Sequence, residues 1–187
     1  MPEQLDSGKI LQYPLTLNPL QLGPGKVLFE DLPGVDCTFF RHGGYWWMFG
    51  GDNRDQDMVK LSAWYSSSAQ GPWHPHPLNP IKTDVSSARP AGPLFEHRGC
   101  LYRPAQDCSD SYGSAVVINK VVELTPNSFE EVPVQRLRPL ADSRYPHGLH
   151  TVCVMGNRTV IDVKRHYVSW RKAGRAARKY LTAAFVR

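Results

Sequence analysis

The sequence lacks long apolar runs: its apolar stretches are short and interrupted by polar residues. A transmembrane helix needs about 20 consecutive apolar residues, so we expect none here. The N-terminus, Met1 to Asp6, also lacks the basic and apolar regions of a secretory signal. The sequence therefore predicts a cytoplasmic protein if the chain is complete.

Cysteine is scarce, and its spacing shows no metal-site pattern. The four cysteines form neither a CxxC pair nor a zinc-type array (Cys37, Cys100, Cys108, Cys153). Cys37 and Cys153 fall within predicted strands, where buried free thiols are common. No Gly-rich phosphate loop precedes a helix, and no serine lies in a nucleophile-elbow pattern. We therefore expect no bound metal and no cofactor.

Acidic residues are absent from residues 164–187, which hold eight of the 22 Lys and Arg. The rest of the chain carries 14 basic against 17 acidic side chains, so it has no basic footprint and we expect no nucleic-acid partner. Apolar residues recur every three or four positions from Trp170 to Phe185. This spacing predicts a basic amphipathic C-terminal helix over 167–187. The helix either packs on the body of the protein or contacts an anionic membrane surface through residues 170–187.

Three stretches of the chain share one pattern, and they start at Asp36, Arg89 and His150. Each begins with a polar residue, runs through an apolar strand, turns at a glycine and returns through a second apolar strand. Repeats of about 40–50 residues that hold several short strands are typical of β-propeller blades. The sequence predicts an all-β fold, with an extended lead-in over 1–26 and a partial β-propeller of about three blades over 27–166. Propellers usually have 4–8 blades, so missing blades or an oligomer must close the ring.

The strands predicted within these repeats follow the alternation of apolar and polar residues. In the first repeat they are 36–41, 45–49, 58–66 and an edge strand from Trp73. In the second repeat they are 89–96, 100–105, 113–124 and 129–138, and in the third 150–155 and 158–164. The first repeat contains a cluster of aromatic residues (Tyr45, Trp46, Trp47, Trp64, Tyr65, Trp73). Most of them are expected to fill the core; the alternative is stacking on a sugar ring.

The polar starts of the three repeats are the candidate site. The innermost strands of a propeller line one central cavity, so Asp36, Arg89 and His150 are expected to converge there. Arginine binds phosphate or carboxylate in bidentate fashion, which predicts a pocket for an anionic sugar. The candidate substrate-binding residues are Asp36, Arg89, Arg103, Gln106, Asp107, His150 and Arg165. The alternative is internal: Arg89 and Arg103 would pair with Asp84 or Asp107 and hold blades together.

Glycoside hydrolysis usually needs two carboxylates, and the repeat starts supply only one. Asp36 is the catalytic candidate, with Asp107 or Asp162 as its partner, and the glutamates fall at outer strands, turns or edges. Solvent-open carboxylates at separations of about 5–5.5 Å or 6.5–9.5 Å would favour hydrolysis. Carboxylates paired with arginine would argue against it.

The second repeat also carries a family resemblance. The segments 71–81, 84–92 and 95–109 resemble the N-terminal domain of glucosamine inositolphosphorylceramide transferase, and the similarity covers about residues 27–166. That domain looks like the five-bladed propellers of family-43 glycoside hydrolases, although here Arg89 and His150 depart from their carboxylate set. In the plant transferases, sugar transfer belongs to a separate exostosin-like domain, and this chain contains nothing like it.

The resemblance therefore implies a non-catalytic, carbohydrate-associated domain of a glycosyltransferase-type protein. It would bind or position an anionic glycan, a sugar phosphate or a glycolipid headgroup. If the chain is a fragment of a eukaryotic family member, the resemblance implies association with the Golgi. A degenerate glycoside hydrolase and an interaction scaffold without a small-molecule ligand remain the alternatives.

Overall fold

A computed structural model describes residues 7–166, and the helix predicted over 167–187 lies outside the described residues. Between residues 7 and 166 the chain is built from β-strands and contains no helix, which confirms the all-β class. It follows that no helix in this range could cross a membrane.

The strands are numbered in chain order. The N-terminal strands are β1 (Ile10–Gln12), β2 (Leu15–Leu17), β3 (Leu20–Leu22) and β4 (Lys26–Phe29). The first repeat holds β5 (Gly34–His42), β6 (Tyr45–Asp52), β7 (Lys60–Ser66), β8 (His74–Pro75) and β9 (Lys82–Thr83). The second repeat holds β10 (Phe95–His97), β11 (Cys100–Asp107), β12 (Ala115–Thr125) and β13 (Ser128–Leu137), and the third holds β14 (Val152–Met155) and β15 (Arg158–Ile161).

The first two repeats each form one antiparallel sheet. In the first sheet the order is β5-β6-β7-β8, with β9 also paired to β7. In the second sheet the order is β10-β11-β12-β13, while β14 and β15 form a separate hairpin. Glycines with positive φ form the tight turns between β5 and β6 (Gly43, Gly44), β10 and β11 (Gly99), and β14 and β15 (Gly156).

The sheets pack face to face in chain order. Trp47 and Phe49 of β6 point toward the second sheet and pack with its Leu101, Val121 and Leu124. Because side chains alternate along a strand, Met48 points the opposite way, where it packs with Ile10 and Leu32 of the N-terminal region. This alternation gives the first sheet two buried faces.

The second sheet is covered in the same way. On its far face, Val116 and Ile118 of β12 pack with Leu149 and Val152 of the third repeat. The described chain is thus a stack of four layers: the N-terminal strands, the first sheet, the second sheet and the β14–β15 hairpin. The aromatic cluster of the first repeat lies largely in the two cores that flank the first sheet, as expected, with Tyr45 partly exposed.

Two segments differ from the sequence-based prediction. The strand predicted over 89–96 is reduced to β10 and an isolated bridge between Pro90 and Ala105. Pro90 and Pro93 have no N–H to donate, which limits pairing there. The lead-in predicted to be extended over 1–26 contains β1, β2 and β3, with β1 paired to β4 and β2 to β3.

Candidate functional site

Asp36 lies at an irregularity in β5. The pairing of β5 with β6 shifts between Val35 and Thr38, and Asp36 has a φ of 50°. Aspartate and asparagine tolerate this left-handed backbone better than most residues. The carboxylate reaches the second repeat, where Oδ2 accepts hydrogen bonds from Arg89 Nε at 2.6 Å and from Gln106 Nε2 at 3.1 Å. The starts of the first two repeats therefore meet, as the sequence predicts.

Arg89 is held by two carboxylates of the first repeat. Its guanidinium pairs with Asp36 through Nε and with Asp57 through Nη1. Its Cζ also lies 5.1 Å from the ring centroid of Tyr112. Burial disfavours the charged form, but the charges of Asp36 and Asp57 outweigh burial and raise the pKa of Arg89. Two negative charges face one positive charge, so the cluster does not offer an unpaired positive charge to an anionic ligand.

A cavity of about 410 Å³ opens beside this cluster. It lies where all three repeats meet, and its lining combines polar and apolar groups: Asp36, Cys37, Thr38, Phe39, Pro90, Gly92, Pro93, Gln106 and Thr151. Gln106 is buried, and its amide also donates to the carbonyl oxygen of Pro90 at 2.9 Å. None of these lining residues is a lysine or arginine.

His150 is linked to the cluster through Tyr112. The two rings lie 5.5 Å apart in an edge-to-face arrangement. His150 Nδ1 pairs with Asp162, which also accepts hydrogen bonds from the backbone N–H groups of His150 at 3.1 Å and Thr151 at 2.7 Å. Burial raises the pKa of Tyr112; Arg89 opposes this shift and Asp36 adds to it. The three repeat starts thus lie in one continuous set of contacts.

Arg103 lies elsewhere, fully buried within the protein. Its guanidinium donates to both carboxylate oxygens of Glu131, at 2.8 and 2.6 Å, and to the carbonyl oxygens of Ser87 and Ala88. Glu131 also pairs with Lys82 at 2.7 Å. Burial alone would raise the pKa of Glu131, but Arg103 and Lys82 outweigh it and hold that pKa below its usual range. The structure does not bring Arg103 to the cavity.

The remaining candidates are also outside the cavity lining. Asp107 is buried and pairs with Arg136, and it lines a different cavity with Ser114 and His147. Arg165 is exposed. Arg89 and Arg103 do pair internally, but with Asp36, Asp57 and Glu131 in place of the predicted Asp84 or Asp107. Of the seven candidates, Asp36 and Gln106 line the cavity, while Arg89 contacts Asp36 and His150 contacts Tyr112.

Sequence reasoning missed three residues of these networks. Asp57 lies in the turn before β7 and Tyr112 in the loop before β12, where no strand periodicity applies. Glu131 carried a usable signal: it follows the half-buried Phe129 by two positions, so both side chains share one face of β13. Among residues 7–166, no group of three or more His, Cys, Asp or Glu is arranged to hold a metal ion.

Comparison with known proteins agrees with the resemblance seen in the sequence. The family model for the N-terminal region of glucosamine inositolphosphorylceramide transferase 1 matches residues 1–144. Glucosamine inositolphosphorylceramide transferase 1 from Oryza sativa subsp. japonica is 41% identical over 139 residues, which are 72% of this chain. The protein of the same name from Arabidopsis thaliana is 37% identical over 139 residues, also 72% of this chain.

The match covers only part of these relatives. The aligned region is 18% of the length of the rice and Arabidopsis proteins. No solved structure matches the chain.

Proposed function

The chain belongs to the family of glucosamine inositolphosphorylceramide transferase 1 N-terminal regions, and from that premise we propose that it binds or positions a glycolipid headgroup. In this proposal it is a carbohydrate-associated domain of a glycosyltransferase-type protein, and sugar transfer is carried out by another part of a longer chain. The name of the relatives joins glucosamine, an inositol phosphate and ceramide, which gives the headgroup its chemistry: a sugar, a cyclitol and a phosphate.

The observation that carries the proposal is the cavity at the meeting point of the three repeats. Asp36, Gln106 and Thr151 supply polar groups, while Phe39 and Pro93 supply flat apolar surface. A sugar ring presents hydroxyl groups at its edge and C–H groups on its faces, so it matches a lining of this kind. The cavity volume of about 410 Å³ falls in the range of small-molecule sites.

The charges favour hydroxyl groups inside the cavity over the phosphate. Arg89 is offset by Asp36 and Asp57, and the lining contains no lysine or arginine. A phosphate placed against Asp36 would meet a carboxylate, which disfavours it. We therefore place a sugar or cyclitol ring in the cavity and the anionic group of the headgroup outside it.

We further propose that the stacked sheets are blades of a propeller of the five-bladed type. The face-to-face packing in chain order supports this arrangement. The third repeat supplies only β14 and β15 among the described residues, so a closed ring would need strands from elsewhere in a longer protein or from another copy.

Asp36→Asn tests the cavity with little disturbance of the backbone. Asparagine has the same size and tolerates the positive φ at this position. We expect affinity for a soluble glucosaminyl inositol phosphate, measured by isothermal titration calorimetry, to fall roughly tenfold or more, because a hydrogen bond to a charged group contributes about 1.5–3 kcal/mol. Free inositol and inositol phosphate, titrated in parallel, report whether the phosphate is needed.

Asp31→Asn is the matched control. Asp31 also has a positive φ, of 57°, and lies outside the cavity lining, so this variant should bind like the wild type. The proposal fails if the wild-type chain binds none of the three ligands, or if both variants lose affinity equally.

Neither alternative function gains support from a specific contact. All three candidate hydrolytic carboxylates have side-chain partners: Asp36 is in an ion pair with Arg89, Asp107 is in an ion pair with Arg136, and Asp162 contacts His150 Nδ1. This pairing argues against a degenerate glycoside hydrolase. An interaction scaffold without a small-molecule ligand would leave the mixed polar and apolar lining of the cavity without a role.

A further inference from the structure

Residues 14–23 form a projecting hairpin, which we call the leucine hairpin. Within the described chain, its strands β2 and β3 pair only with each other, and β1 and β4 form its base. Leu15 lies opposite Leu22, and Leu17 lies opposite Leu20. Alternation along each strand therefore places all four leucines on one face of the hairpin.

The leucines of this hairpin are strongly exposed. The exposed fractions are 53% for Leu15, 79% for Leu17, 73% for Leu20 and 70% for Leu22. Every residue from 14 to 22 is exposed, so the hairpin projects from the body of the protein. A two-stranded hairpin is marginally stable in water, and a contiguous exposed apolar surface marks a site for another protein or a membrane.

The composition of the hairpin favours a membrane. Residues 10–25 contain no Asp, Glu, Lys or Arg, and charged side chains are the ones that the apolar part of a bilayer disfavours most. Protein interfaces instead rely on Tyr, Trp and Arg anchors, with Leu under-represented among the residues that dominate binding. Leucine is a typical apolar residue of elements that lie in the membrane interface.

The basic charge of the C-terminal segment is complementary to an anionic lipid surface. Next to the hairpin, at the start of β4, Lys26 is exposed, whereas Lys9 lies at the opposite end of the β1–β4 pair, 4.0 Å from Glu30. Residues 164–187 add eight basic side chains and no acid. Basic residues near a membrane surface are attracted by anionic headgroups, and an apolar contact combined with a basic one is the usual basis of stable peripheral binding.

We propose that the leucine hairpin inserts its four leucine side chains into the interface of a lipid bilayer that contains anionic headgroups. Insertion is shallow, about 5–10 Å, because the outer backbone edges of β2 and β3 must remain where water or headgroups can satisfy them. This contact does not depend on the sugar cavity, and it differs from a contact made by residues 170–187 because it is apolar.

The test measures binding of the full 187-residue chain to vesicles of phosphatidylcholine and phosphatidylserine by cosedimentation. Leu17→Ser with Leu20→Ser should lower the partition coefficient roughly tenfold or more, since burial of one leucine side chain is worth about a factor of ten. The matched control is Leu78→Ser with Leu140→Ser, which removes two leucines with exposed fractions of 54% and 78% far from the hairpin in sequence. The control should bind like the wild type.

Salt separates the hairpin from the basic segment. At 1 M salt the Debye length is about 3 Å, so attraction through residues 164–187 is screened while apolar insertion persists. The binding that remains should still be lost in the hairpin variant. Unchanged thermal unfolding of both variants shows that the substitutions leave the fold intact.

Four results would overturn the proposal: no vesicle binding by the wild type, equal binding by the wild type and the hairpin variant, an equal loss of binding in the matched control, or complete loss of wild-type binding at 1 M salt. Sedimentation equilibrium without lipid tests the other occupant of this face, a second copy of the chain. A wild-type dimer that the hairpin variant cannot form, together with absence of vesicle binding, would assign the face to a second copy of the chain.

Discussion

At the scale of single residues, charge inside the protein is matched side chain by side chain. Arg103 is fully buried, and its donors are taken up by Glu131 and by the carbonyl oxygens of Ser87 and Ala88. A buried charge is tolerated only when it is paired and hydrogen-bonded. Arg103 therefore ties the segment before Arg89 to β13, and this role fits its position better than contact with a ligand.

The paired Glu131 makes stability depend on pH. Its pKa is lower in the folded protein than in the unfolded chain, so its contribution is present above the unfolded value and is lost as the pH falls through the folded value. At neutral pH, Glu131→Gln should destabilise by about 3–5 kcal/mol, because Arg103 is left as a buried charge without its carboxylate. Urea unfolding from pH 7 to 3 should show this gap from the wild type closing below roughly pH 4.

Glu130→Gln is the control for this series, because Glu130 is the exposed neighbour on the same strand. It should change the free energy of unfolding by less than about 0.5 kcal/mol. A gap between the wild type and Glu131→Gln that stays constant down to pH 3 would contradict the pairing of Glu131 in the folded state.

At the scale of elements, the β14–β15 hairpin is joined to the second sheet through close backbone contact. The Val152 N–H donates to the Ala91 carbonyl oxygen at 2.8 Å. Gly92 has a φ of 121°, and a Cβ at this position would lie 2.3 Å from the Val152 carbonyl oxygen. Gly92 therefore lets the third repeat approach, and it also lines the cavity.

Gly92→Ala should loosen the β14–β15 hairpin. The added methyl group must displace the backbone of Val152, which we expect to cost about 1–3 kcal/mol beyond the strain of the positive φ. Hydrogen exchange measured by mass spectrometry should show faster exchange across residues 148–164 than in the wild type. Gly99→Ala is the matched control, because Gly99 has a φ of 73° and no atom within 4 Å of the added Cβ. This variant should lose only the free energy that comes from the strain of the positive φ, about 1–2 kcal/mol. Equal exchange in the two variants would exclude the close approach as the cause.

At the scale of the whole molecule, the two sheets share one core. Trp47, Phe49 and Leu61 of the first sheet pack with Val121 and Leu124 of the second. His76 Nε2 also lies 3.0 Å from the Thr125 carbonyl oxygen, and Arg89 and Lys82 add ion pairs to the contact between the repeats. The sheets should therefore unfold as one cooperative unit.

Leu124→Ala tests this cooperativity. Leu124 belongs to β12, whereas Trp46, Trp47 and Trp64 lie in the first sheet, so tryptophan fluorescence reports largely on the first sheet. We expect a loss of about 2–5 kcal/mol, with the fluorescence and circular dichroism transitions shifting together. Val122→Ala, at a position 54% exposed on the same strand, should have little effect. A fluorescence transition that stays at its wild-type midpoint would mean that the sheets unfold independently.

The sequence predicts the hairpins better than the site, for physical reasons. Alternation in the 45–49, 100–105 and 113–124 segments, with glycine at the turns, is a local property, and the strands lie where it predicts them. The meeting of Asp36 and Arg89 follows from their equivalent positions in the repeats. The contributions of Asp57 and Tyr112 could not be predicted, because loop conformation and tertiary packing decide them. Arg103 and Gln106 lie three positions apart on β11, so alternation places them on opposite faces, and only Gln106 reaches the cavity.

The β14–β15 hairpin leaves the outer side of β15 without a strand partner among the described residues. Val160 and Ile161 on this strand are about half exposed, and Arg158 is the one charged side chain of Arg158–Ile161. Natural sheets protect such borders with charge, proline or a covering segment. Among the described residues, the outer border of β15 is therefore an edge to which a further strand could add.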